Sequence, residues 1–158
     1  MNIIRRCLLA FTLTLSMHPL GCMQASASTS HTLMGDSIIE DWQPVIDAII
    51  EHESGGNTHA RNGRFLGPMQ IAPIMVRECN NILRSQGSTQ RFTLNDRLSL
   101  DKSKEMFMII MKRHNPTNSF EIACRIWKSG LAKTYSKATL HFIEEMKEIM
   151  SRQAAQKQ

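Results

Sequence analysis

Apolar residues recur at helical spacing in five stretches of this chain. Val45, Ile46, Ile49 and Ile50 fall at i, i+1, i+4 and i+5 and predict a helix over about Asp41 to Glu53. Gly55-Gly56 stops it, so Glu53 sits in the last turn of a helix with an apolar face. Pro73 suits a first turn, and Ile74, Val76 and Ile82 carry a second helix to about Arg84. Met106, Phe107, Ile110 and Met111 predict a third over Leu100 to Arg113, ended by Asn115-Pro116. Ile122, Ala123, Ile126 and Trp127 mark a short fourth from Phe120 to Lys128, stopped by Gly130. Leu140, Ile143, Met146 and Met150 mark a fifth over about Thr134 to Arg152. Residues 57–68 are turn chemistry, with Asn57, Asn62, Gly63 and Gly67-Pro68, and Phe65-Leu66 and Met69-Gln70-Ile71 read as short extended pieces. The pattern predicts a mainly α single domain with at most a small irregular β segment.

The N-terminus follows a different pattern. Arg5 and Arg6 precede an apolar run from Cys7 to Leu15, and Ala25-Ser26-Ala27 is an A-x-A site. This is the layout of a signal peptide over residues 1–27. The run is too short for a membrane span, and Pro19 breaks it. Leu20-Gly21-Cys22 offers a second processing mode, in which Cys22 is lipidated and the protein tethered to a membrane. Residues 28–36 read as a polar linker, 37–152 as the folded domain and 153–158 as a disordered tail.

Composition changes this picture little. The chain has 158 residues, 42% hydrophobic and 21% charged, enough for one core. Its formal charge of +5 stays mildly positive once Arg5 and Arg6 are removed, a balance that suits an anionic polymer and equally suits none. Four cysteines are present, and Cys79 and Cys124 lie in the domain. Outside the cytoplasm they can pair as a disulfide, or remain two buried thiols; sequence leaves both open.

The chemistry concentrates at His52-Glu53-Ser54-Gly55-Gly56-Asn57. Burial raises a carboxylic acid's hold on its proton, which a general acid for glycosidic cleavage needs near neutral pH. The glycines let a polymer approach the backbone, and Gln70 supplies an amide that can bond a sugar. Two-carboxylate glycosidases place the second carboxylate ~5–9.5 Å from the acid. Glu51 points elsewhere on the helix, and no acidic residue separates Glu53 from Glu78. A substrate-assisted route is a recognised exception to the paired arrangement.

Glu53-Ser54-Gly55-Gly56-Asn57, then Ala60, Gly63 and Gly67-Pro68-Met69-Gln70-Ile71-Ala72-Pro73, resembles the soluble lytic transglycosylase family of the lysozyme superfamily. A softer match runs on, with Arg125-Ile126-Trp127-Lys128-Ser129-Gly130 where that family has Ala-x-Tyr-Asn-Ala-Gly. The resemblance implies a lysozyme-like fold with a substrate cleft, no cofactor and no metal. It implies cleavage of the peptidoglycan bond between N-acetylmuramic acid and N-acetylglucosamine, leaving a 1,6-anhydro end. Glu53 would be the single catalytic residue; Ser54, Met69, Gln70 and Trp127 would meet the glycan. Pro68 replaces a leucine-like residue, and Trp127-Lys128 replaces Tyr-Asn.

Each assignment has a plainer counterpart. Ser54 can simply bond local backbone. Met69 is more often core. Gln70 can be a structural amide, and Trp127 divides between core and groove. Lys128 can contact a stem-peptide carboxylate or simply be solvated. His52-Glu53 begins a zinc motif, but Gly56 stands where its second histidine belongs. No phosphate loop is present, and only a weak charge favours nucleic acid, which is not expected as a partner. The expected partner is the glycan strand, alone or within a cell-envelope or secretion machine, bound by a monomer exported to the periplasm or outside. Rival readings are a water-using muramidase and a non-catalytic wall-binding or secretion-assembly module.

Overall fold

The computed structural model describes residues 37–133 and 135–157. The expected signal segment, Cys22 and the linker over residues 28–36 lie outside them. The described chain is mainly helical: α1 is Gln43–Ser54, α2 Pro73–Ser85, α3 Leu100–His114, α4 Phe120–Ser129 and α5 Lys137–Gln156. Between α1 and α2, β1 (Arg61–Asn62) pairs antiparallel with β2 (Phe65–Leu66), Arg61 opposite Leu66. A further bridge joins Leu66 to Ile71, so the two short extended pieces read from sequence meet each other.

Local chemistry sets the boundaries. Pro44 lies in the first turn of α1, where its missing N–H is no loss. Gly55 ends α1 at φ +60°, a left-handed conformation glycine adopts cheaply. Hydroxyls of Ser99, Ser119 and Ser136 accept backbone N–H groups in the first turns of α3, α4 and α5. The Ser136 cap starts α5 at Lys137 rather than near Thr134. Its far end also differs from expectation: α5 does not fray at Arg152 but runs to Gln156. Arg152 and Gln153 both bond the Glu51 carboxylate of α1, Gln153 at 2.7 Å, and this gives the last turns a partner. A 3₁₀ turn at Leu94–Leu98 is an addition to the pattern-based assignment. Thr93 and Asp96 cap it reciprocally, a T-x-x-D signature legible in the sequence.

The core is continuous. α5 packs on α1 and α4, and α2 packs on α3. Val45, Ile49, Phe107, Phe120, Ile126, Phe142 and Met146 are buried to 1% exposure or less. Trp42 meets Phe107 edge-on at 5.6 Å, and Phe107 meets Trp127 at 5.3 Å. Each such buried side chain removes enough apolar surface from water to contribute about 1.5–3 kcal/mol.

Cys79 and Cys124 are both buried free thiols, which resolves the open pairing against a disulfide. The Cys79 thiol faces α3, 3.5 Å from the Met106 carbonyl. Burial pushes both thiols up to about 12, so neither ionises near neutral pH. Among the described residues no helix is long and apolar enough to cross a membrane.

Candidate functional site

A cleft of about 530 Å³ opens between the β1–β2 turn region with the start of α2 and the C-terminal end of α4. Glu53, Asn62, Arg64, Phe65 and Gln70 line it from the first side, Trp127, Lys128 and Leu131 from the other. Among the described residues Glu53 is the only carboxylate in this lining. Its side chain is 22% exposed. Burial raises its proton affinity above the usual carboxylate range, opposed by the positive fields of His52 and Lys128 and assisted by the Glu145 carboxylate. An acid with raised proton affinity, in an open cleft, can donate its proton to a bound ligand and take it back.

The turn region is held by polar bonds to backbone. Ser54 Oγ donates to the Pro68 carbonyl at 2.8 Å and to Ile50 at 3.3 Å, and accepts from the Gly56 N–H at 3.1 Å. Gln70, at φ +47°, donates its amide to the carbonyls of Gly67 at 2.8 Å and Ala60 at 3.1 Å. Both partners are acceptors, so the nitrogen must face them and the amide oxygen is left for the cleft. Arg97 is 7% exposed and donates to the carbonyls of Leu94, Arg64 and Ile71 at 2.7, 3.1 and 3.1 Å. Gly67 lies against the same residue: a Cβ there would meet the Arg97 carbonyl oxygen at 1.7 Å.

The structure therefore divides the residues singled out from sequence. Glu53, Gln70 and Trp127 share the cleft. Trp127 serves both roles weighed for it, with one side on Phe107 and another in the lining. Met69 is fully buried, so its expected place against a glycan is corrected to core; the turn at Gly67–Gln70 sends Met69 inward and Gln70 outward. Ser54 is half-buried beside Glu53, and its hydroxyl bonds the Pro68 carbonyl, a tie between α1 and the turn.

Sequence reasoning missed the surroundings of Glu53. In the sequence His52 reads only as the first half of an incomplete zinc motif. Its Nδ1 lies 3.7 Å from Glu53 Oε1 and its Nε2 lies 3.2 Å from Glu145 Oε2 on α5. Ninety-three positions separate His52 from Glu145, and no local pattern links residues so far apart. Arg97 was equally hidden, because a lone arginine in a polar stretch reads as surface. Among the described residues no group of three or more His, Cys, Asp or Glu side chains gathers into a metal-binding cluster. Comparison with protein-family models, curated proteins and solved structures finds no match to this chain.

Proposed function

We propose that this protein is an exported, lysozyme-like peptidoglycan lytic transglycosylase with Glu53 as its sole acid and base. The observation that carries the reading is Glu53 itself: a half-buried carboxyl whose proton affinity is raised by desolvation, the one carboxylate among the described residues lining an open cleft of about 530 Å³. A single carboxyl that both gives and takes a proton suits a substrate-assisted path. Glu53 gives its proton to the oxygen bridging N-acetylmuramic acid and N-acetylglucosamine. The acetamido group of the substrate supports the developing positive charge at the anomeric carbon. Glu53 then takes the proton of the muramic acid 6-hydroxyl as that oxygen closes on the anomeric carbon. The acid is restored without water. Trp127 and Phe65 offer apolar faces for sugar rings, and the Gln70 carbonyl an acceptor for a hydroxyl or amide N–H. Arg64 and Lys128 bring positive charge to the lining, which suits the carboxylates of stem peptides.

Mass spectrometry of digested sacculi tests this. Wild type should release 1,6-anhydro muropeptides, and Glu53→Gln should lower the rate by about 10²–10⁴-fold, the contribution of a positioned acid–base group. Hydrated reducing ends would instead mark a water-using muramidase. Lysis unchanged in Glu53→Gln would remove the role assigned to Glu53, and binding to sacculi without release of fragments would mark a wall-binding module.

A further inference from the structure

Glu53 does not stand alone on its inner side. His52 lies between two carboxyl groups, with Nε2 3.2 Å from Glu145 Oε2 and Nδ1 3.7 Å from Glu53 Oε1. The first contact is a hydrogen bond. The second is a few tenths of an ångström too long for one, and Nδ1 is buried with no partner among the described residues. A buried ring nitrogen with one candidate at 3.7 Å is poised to close on it. Packing holds the ring in this plane: His52 meets Phe142 edge-on, centroids 5.0 Å apart and planes at 87°. Glu145 continues outward to His141 Nε2 at 3.4 Å, and His141 is 74% exposed. The order along this row is His141, Glu145, His52, Glu53.

We propose that His52 and Glu145 are positioning residues for Glu53: the Glu145 carboxylate fixes the His52 ring so that Nδ1 faces Glu53 Oε1, and together they set the pH at which Glu53 releases its proton. This rests on the reading of Glu53 as the acid. The Glu145 carboxylate accepts from Nε2–H, and in the imidazolium form Nδ1–H is then directed at Glu53 Oε1; it is this form whose charge acts on Glu53. The other oxygen is then free for the cleft. The charged groups facing His52 come from three elements: Glu53 on its own helix, Glu145 with His141 behind it on α5, and Lys128 of α4, whose Nζ lies 5.3 Å from the Phe142 ring centre. Their fields on Glu53 oppose one another. Glu145 favours the protonated acid, whereas His52 and Lys128 favour the carboxylate.

Opposed fields give a test with two signs. The full chain, labelled with ¹³C at glutamate side-chain carboxyls, is titrated by NMR as wild type, Glu145→Gln and His52→Gln, with Glu53→Gln assigning the Glu53 signal. Glutamine keeps hydrogen-bonding reach at either position and removes the charge. Glu145→Gln should move the Glu53 midpoint down, because it removes a negative charge that favours the protonated acid. His52→Gln should move it up. The alkaline limb of sacculus digestion should follow in the same directions, with kcat falling more than KM. A Glu53 midpoint unmoved in both variants, or moved the same way in both, overturns the proposal. The titration needs no activity. Lysis unchanged in Glu53→Gln therefore defeats the functional reading, while the midpoints judge the positioning pair separately.

Discussion

The two walls of the cleft are built by different physics. The turn side is a polar clamp: Ser54 on Pro68, Gln70 on Ala60 and Gly67, Arg97 on Leu94, Arg64 and Ile71. The helical side is apolar packing, with Trp127 on Phe107 and Phe142 beneath both His52 and Lys128. Directional bonds to backbone carbonyls fix a short irregular segment that has little apolar surface to bury. Packing suffices for α4 and α5, whose backbone groups are already paired within the helices. The acid lies where the two meet, so either wall can be altered with a distinct signature.

The largest effect should come from the clamp. Gly67→Ala drives a Cβ into the Arg97 carbonyl at 1.7 Å and forces φ +83° on alanine. We expect at least about 3 kcal/mol lost in urea unfolding. A loss under about 1 kcal/mol would show the turn to be pliable and the contrast between the walls overstated. The junction should respond next, and in the opposite direction. Below the ordinary carboxylate range Glu53 is protonated whether the chain is folded or not. As pH rises through and past that range, the unfolded chain releases the proton more readily than the folded one, and stability is lost. Glutamine never ionises. Glu53→Gln should therefore match wild type in thermal unfolding at acid pH and exceed it at neutral pH, and equal melting at every pH would remove the desolvation argument.

The helical wall should give a smaller, salt-sensitive effect. Lys128→Met keeps the stem of the side chain against Phe142 and removes the charge. We expect unfolding free energy within about 0.5 kcal/mol of wild type. KM for sacculi should rise a few-fold at low salt, and the difference should shrink as salt screens the lost attraction. The smallest effect belongs to the core shared by both walls. With Cys79 and Cys124 unpaired, a thiol reductant should leave the melting temperature in place, and a drop of several degrees would reveal a disulfide.

The two walls also differ in how far the sequence exposed them. The turn side was legible in outline, because Gly55-Gly56, Gly67-Pro68 and Gln70 carry backbone requirements that only a few residue types meet. Helical spacing likewise placed α1 to α4 within a residue or two of their observed bounds. What failed was the direction of side chains in irregular chain. Met69 and Gln70 are neighbours, yet one is core and the other lines the cleft, and no period applies inside a turn. Long-range partners failed as well. The Glu51 contacts that extend α5 to Gln156 and the Glu145 contact that makes His52 more than a failed zinc ligand each join residues about a hundred positions apart. Pattern analysis reads local order, and these are properties of packing.

The closure of α5 on α1 bears on when the site comes into being. α1 is made before α5, so His52 finds Glu145 only ninety-three residues later. Until then the apolar face of α1 lacks one of its main covers, and the Glu145 carboxylate that helps raise the proton affinity of Glu53 is not in place. A chain still emerging from the ribosome thus carries the acid without the environment that arms it. The finished site depends on a helix ninety-three residues beyond His52, and forms only when most of the domain can fold together.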